Sequence, residues 1–231
     1  RKPLLRRAYR DFHLQIKQRL SPLSGFTVEL GSGIGAIKKS IPECITTDIF
    51  QNPMVDQTED AYDLSFRNES VSNLILFDVW HHLQYPGSAL DEFQRVLKSD
   101  GHLILFEPAA LSWLGKIVYG YFHHEPIHDK GQNDWYLPET AQIKNLPYYA
   151  AQGNAWKLFA KFELPRELKS DWQLDGVSFF PALEWLAAGG FRKRQVLPSC
   201  LYHQLRFTSR LVAPFRFAFA TRMLVVLVKK S

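Results

Sequence analysis

Cysteine is scarce: Cys44 and Cys200 are the only two in 231 residues, at no disulfide or metal-knuckle spacing. That excludes a disulfide-built secreted scaffold and predicts a reducing, cytoplasmic setting. Long apolar runs are missing too. The longest candidate, residues 211–228, is interrupted by Pro214, Arg216 and Arg222, so no transmembrane segment is expected. No signal peptide, internal repeat or low-complexity tract is visible. Acids are nearly absent from the first 20 residues, where Asp11 stands alone against Arg1, Lys2, Arg6, Arg7, Arg10, Lys17 and Arg19. A second basic zone holds Arg192, Lys193, Arg194, Arg206, Arg210, Arg216 and Arg222, and the net charge is +5. Basic faces attract membranes, nucleic acid or anionic small molecules without distinguishing among them. With 46% hydrophobic and 14% aromatic residues, the chain has ample material for a packed core, and disorder is excluded.

What is present centres on residues 26–36. The apolar run from Phe26 to Leu30 contains Glu29 and leads into Gly31-Ser32-Gly33-Ile34-Gly35-Ala36. That pattern reads as a buried parallel strand, a tight glycine turn and the start of a helix near Gly35. Such a turn lets a ligand approach the backbone closely. The glycines alone satisfy a dinucleotide fingerprint, which is a weak signal. Glu29 separates the two ligand classes: an acid there suits an ammonium group and would repel a pyrophosphate. A second strand, residues 44–48, ends in Asp48, where a carboxylate can accept bonds from ribose hydroxyls.

Further motifs follow in order. Asp60-Ala61 and Leu64-Ser65-Phe66 precede an apolar strand, residues 73–77, and then Trp80-His81-His82-Leu83. The segment from Glu92 to Gly101 reads E-F-Q-R-V-L-K-S-D-G and spans a helix over 88–98 and a turn into strand 102–106. Together these resemble class I S-adenosylmethionine (SAM)-dependent methyltransferases, of the small-molecule type found in ubiquinone and menaquinone biosynthesis. The chain departs from that pattern with Ser65 for proline, Ser72 for aspartate, Trp80 for leucine, and Ser99-Asp100 for proline and glycine. The resemblance covers residues 22–108. It implies an α/β fold: a Rossmann-like, seven-stranded, mostly parallel sheet with helices on both faces.

It also implies the cofactor, SAM, and its contacts. Glu29 would face the methionine ammonium, while Gly31, Ser32 and Gly33 would pass beneath the methionine and ribose. Asp48 would hold the ribose, Ile49 the adenine face, Asp60 and Ala61 the adenine edge. The backbone at Leu76 and Phe77 would touch the methionine end. The acceptor implied is a small or lipid-linked molecule. Nucleic acid is disfavoured, because Phe77-Asp78-Val79-Trp80 lacks the motif of base-amino methylating enzymes and no RNA-binding module is present.

Four parts are expected: a basic amphipathic helix (1–21), the cofactor core (22–110), an aromatic-rich cap (111–176) and the closing part of the core (177–231). In the cap, Trp113, Tyr119, Tyr121, His124, Trp135 and Trp156 are expected around the acceptor. Residues 191–197 and 222–229 are expected as the closing antiparallel strands. Residues that follow elements expected to end on the ligand side of the sheet supply the catalytic candidates, namely His82, His124, Glu107 and Glu125. His123-His124-Glu125 with His128 and Asp129 also invites a metal reading. Adjacent histidines on a helix point about 100° apart, so lid structure or substrate contact is expected there and no metal is assigned.

Overall fold

The computed structural model describes residues 2–128, 134–139, 143, 146–190 and 193–231; Arg1, Asp129 and Arg192, named above, lie outside them. Its strands are β1 (Phe26–Leu30), β2 (Ile45–Asp48), β3 (Gln57–Thr58), β4 (Val71–Phe77), β5 (Leu97–Pro108), β6 (Trp172–Phe180) and β7 (Arg222–Lys229). They form one sheet in the order β3-β2-β1-β4-β5-β7-β6. Pairing is parallel from β3 to β5, and β7 runs antiparallel to both of its neighbours.

Two-residue periodicity explains why the central strands disappear into the core. In β4, Leu74 and Leu76 join one apolar cluster while Ile75 and Phe77 join the other. β5 divides in the same way, with Leu103 and Leu105 on one face and Ile104 and Phe106 on the other. A strand buried on both faces needs such continuous apolar sequence.

Helices cover both faces. α1 (Pro3–Lys17) lays Ala8, Phe12 and Ile16 on the Phe77–Phe106 side. α2 (Pro86–Val96) and α4 (Asn154–Phe159) cover the opposite face through Leu90, Phe93 and Phe159. The remaining helices are short: α3 (Trp113–Ile117), α5 (Leu183–Ala187), α6 (Tyr202–Val212) and α7 (Arg216–Phe219). Asp11, the lone acid of the basic first helix, is buried and accepts from Tyr202 and Arg206 of α6. The two basic zones therefore clasp each other through one carboxylate.

Two expectations need correction. The sixth strand is residues 172–180, whereas 193–197 form no strand and Val196 is exposed. β6 is an edge strand paired only to β7, so its half-buried, polar-interrupted sequence reads as cap rather than core. The short helix expected from about Gly35 to Ser40 is the 3-10 turn Ala36–Lys39, ended before Pro42, and needs no correction. Arg222, expected as part of a basic surface, is 2% exposed.

Candidate active site

In an open α/β sheet, ligands collect beyond the carboxyl ends of the strands where the strand order reverses. Here that point lies between β1 and β4, with Leu30 paired to Leu76. Gly31, Gly33 and Gly35 have φ of 66°, 57° and 62°, a left-handed conformation that side chains disfavour. At Gly31 a Cβ would stand 2.4 Å from Cγ2 of Val79, so the β1 and β4 loops meet at this position. At Gly33 a Cβ would meet nothing within 4 Å, which leaves an open cradle over bare backbone.

The turn is fixed by hydrogen bonds to its neighbours. Ser32 N–H donates to the Thr47 carbonyl at 2.7 Å, and Ser32 Oγ donates to the Glu29 carbonyl at 3.1 Å. Asp48, at the tip of β2, accepts from Gly33 N–H at 3.0 Å and from Phe50 N–H at 3.1 Å. Ile49 is exposed beside it, as an aromatic ring face would require. Asp60 is half-buried and accepts from Tyr62 N–H at 3.0 Å. Its segment is stapled to α2: Leu64 N–H donates to Glu92, and Arg95 donates to Glu92 and to the Leu64 and Phe66 carbonyls. The E-x-x-R motif thus holds the Asp60-Ala61 loop in place.

Glu29 is 3% exposed, and burial pushes its carboxyl up to about 7 against the opposing bond from Ser32. Unbound protein therefore loses stability as pH rises from the ordinary glutamate range through 7, where the buried group must ionise. A ligand ammonium beside Glu29 favours the ionised form, so binding releases a proton and strengthens with pH. Affinity for such a ligand is expected to fall about fivefold from pH 7 to 6, the change in ionised fraction for a pKa near 7. Glu29→Gln should abolish that slope in calorimetric titrations, and an unchanged slope would assign it to another group.

Beyond the β4 and β5 ends lies a cavity of about 670 Å³, within the range of small-molecule sites. Its apolar wall includes Leu114, Ile117, Val118, Phe122, Leu186 and Val196. Asp78, His81, His82, His123, His124, Glu125, Gln152 and Arg222 form the polar side. Asp78 connects this cavity to the glycine turn, because its neighbour Val79 is the residue that abuts Gly31.

Two ionic groups build the polar side. Arg222 Nη2 lies 2.7 Å from Asp78, and its guanidinium is surrounded by the rings of Phe12, Phe77, Phe106 and Trp185 at 5.0–5.9 Å. The other group centres on Glu125. His81 Nε2 and His124 Nε2 each stand 3.4 Å from it, His123 Nδ1 3.7 Å and His82 Nε2 3.9 Å. Tyr148 O–H donates to Glu125 at 2.5 Å, and Gln152 donates to its other oxygen. Behind His81, Glu107 is fully enclosed; one oxygen accepts from Val79 and Trp80 N–H, and the other contacts His81 Nδ1 at 2.6 Å.

Charge shifts follow from this crowding. Burial would lower His81, but Glu107 and Glu125 outweigh it and hold the imidazole up at about 10. His82 is lowered by burial and by its cationic neighbour His81. Burial opposes ionisation of Glu125, yet bonds from His81 and Tyr148 keep its carboxyl well below the usual glutamate range.

All four catalytic candidates thus fall in one region, though Glu107 lies behind His81 and outside the cavity wall. The aromatic cap divides. Tyr119 and His124 line the cavity, whereas Trp135 packs on Gly87 and Trp156 on Phe179 and Phe217; Trp113 and Tyr121 are exposed. Tyr9, Asp78 and Arg222 line the cavity without having been expected there. A lone arginine opening the apolar run Met223–Val228 was the one usable signal, since a charge in a central strand must be paired.

Comparison with known proteins agrees with this architecture. Residues 28–105, about a third of the chain, match the family model described as a methyltransferase domain. Among solved structures, a SAM-dependent methyltransferase from Thermotoga maritima is 17% identical, with TM-score 0.53, covering 99% of this chain and 92% of its own. One from Archaeoglobus fulgidus is 12% identical, with TM-score 0.57 and coverage of 97% and 94%. A geranyl diphosphate methyltransferase in complex with SAM is 10% identical, with TM-score 0.54 and coverage of 96% and 85%. No curated protein matches the sequence.

Proposed function

We propose that this chain, which carries a methyltransferase domain over residues 28–105, is a SAM-dependent methyltransferase of a small or lipid-linked organic acceptor held in the 670 Å³ cavity. The observation that carries this reading is adjacency. The cavity shares the Asp78-Val79 corner with the glycine turn, so donor and acceptor sites meet at the switch point.

The residues present fit the cofactor. Gly33 leaves its Cβ space open, Asp48 offers a carboxylate at the strand tip, and Glu29 is a buried acid with a raised pKa. When bound, SAM supplies an activated methyl group on a sulfonium, so the protein's tasks are alignment and exclusion of water. In this reading Glu29 binds the ammonium, Asp48 the ribose, Asp60 and Ala61 the adenine edge with Ile49 against its face, and the backbone of Leu76 and Phe77 borders the methionine end. The Glu125–imidazole cluster receives the proton of the acceptor, with His82 and His124 at the cavity and Glu107 positioning His81.

Asp48→Ala is expected to weaken SAM binding by about 1–3 kcal/mol, since the bonds to Gly33 and Phe50 are lost with the ribose contacts. The fold should persist, because Asp48 sits at a strand tip. Unchanged affinity would remove it from the site.

A lipid-linked acceptor is supported by what surrounds the cavity. α7 packs against α3, which supplies Leu114 and Ile117 to the wall. On α6 and α7, Phe207, Leu211 and Phe217 are exposed beside Arg210 and Arg216, a mixture suited to peripheral contact with an anionic membrane. No helix among the described residues is long and apolar enough to cross a membrane. The test is transfer of labelled methyl from SAM into separate lipid and water-soluble extracts. Label in either fraction supports the reading and tells the two sources apart. Label in neither, with transfer only to RNA or DNA, would overturn it.

A further inference from the structure

We propose that His81, His82 and Glu125 form a binding site for a divalent transition-metal ion of the zinc type. The proposal rests on the geometry of this cluster; an ion bound here would occupy the His82 and Glu125 lone pairs and leave His124 as the proton acceptor of the methyl-transfer reading.

Tyr148 and Gln152 hold the Glu125 carboxylate, and the imidazoles stand farther off, with room for an ion between them. Nε2 of His81 and Nε2 of His82 approach the Glu125 oxygens at 3.4 and 3.9 Å, a long bond for His81 and beyond bonding distance for His82. Ligands held about 2.0–2.1 Å from a tetrahedral zinc ion stand about 3.3 Å from one another. The three donor atoms all lie within 4.8 Å of each other, so one ion placed between them reaches all three after small side-chain adjustments.

Each imidazole is oriented from behind, as metal-bound histidines are. His81 Nδ1 contacts Glu107 at 2.6 Å, and His82 Nδ1 contacts the Tyr149 carbonyl at 3.0 Å. Both acceptors favour a proton on Nδ1, which turns the Nε2 lone pairs toward the Glu125 carboxylate. Lone pairs facing an anion need a cation between them, either a proton on His81 or a metal.

Helix geometry does not forbid the pair here. His81 and His82 lie in the 3-10 turn Trp80–His82, with ring centroids 4.1 Å apart and a 42° tilt, so adjacent rings converge. A histidine pair with one carboxylate is a ligand set of open zinc sites, which keep a position for a further ligand. His124 Nε2, 3.4 Å from Glu125, borders that position. Gln152 Oε1 is buried in the same wall without a hydrogen-bond partner, an acceptor suited to a metal-bound water.

The test uses the full chain freed of metal by chelation and then titrated with Zn²⁺ alone, and separately with Co²⁺. Saturable one-site binding and the visible absorption of low-symmetry cobalt are expected. His82→Ala and Glu125→Gln should each weaken Zn²⁺ binding at least tenfold while thermal unfolding stays cooperative. If Glu125→Gln fails to fold, His82→Ala decides, because the His82 side chain is only half-buried. No saturable binding by the wild-type chain, or wild-type affinity in the folded variants, would overturn the site. SAM titration of the same samples reports independently on the cofactor reading, so the two can fail separately.

Discussion

Glu125→Gln is expected to lower methyl-transfer turnover by about 10²–10⁴-fold, with SAM affinity nearly unchanged. Glu125 sits in the cavity wall, while the proposed cofactor cradle uses Gly31, Gly33 and Asp48, so the variant is expected to separate acceptor chemistry from cofactor binding. A neutral amide keeps the shape but removes the charge around which four imidazoles gather. His82→Ala should fall in the same range, because its ring is partly open to the cavity. The measurement is single-turnover kinetics with labelled SAM and the acceptor identified by the extract screen. Turnover within about tenfold of wild type in both variants, a loss of only ~1.4 kcal/mol, would assign the rate to alignment alone.

The largest stability effect should come from Arg222. Arg222→Met removes a guanidinium that is 2% exposed, leaving Asp78 without its cation and Tyr119 without a polar neighbour at 3.4 Å. Breaking a buried pair from one side costs about 3–5 kcal/mol, because the partner stays buried and charged. The Asp78 side chain is 32% exposed and recovers part of its hydration, which places the expected loss at about 3 kcal/mol. Adding Asp78→Asn to Arg222→Met should restore much of that loss, since no charge then remains uncompensated. Urea unfolding reads both variants. A loss below about 1 kcal/mol in the single variant would show that ring packing, not the ion pair, holds this corner.

These two sites illustrate how unevenly sequence exposes structure. The strand–turn–strand unit was legible because its pattern is local: Glu29, three glycines and Asp48 lie within twenty residues, and each occupies the element its pattern predicts. The acceptor side was not, because Glu125 meets His81 across 44 positions and Arg222 meets Asp78 across 144. The paired histidines at 81–82 and 123–124 were visible, but nothing local says that they face one carboxylate. Edge strand β6 escaped for a related reason. Its half-buried faces and Gly176 irregularity leave no clean alternation, and only pairing with β7 makes it a strand.

Calorimetric titration of the unmodified chain decides whether the glycine turn with Glu29, Asp48 and Asp60 binds SAM. Micromolar-range binding of both SAM and S-adenosylhomocysteine is expected, with NAD far weaker, because Glu29 welcomes an ammonium and repels a pyrophosphate. Heat with NAD and none with SAM would contradict it.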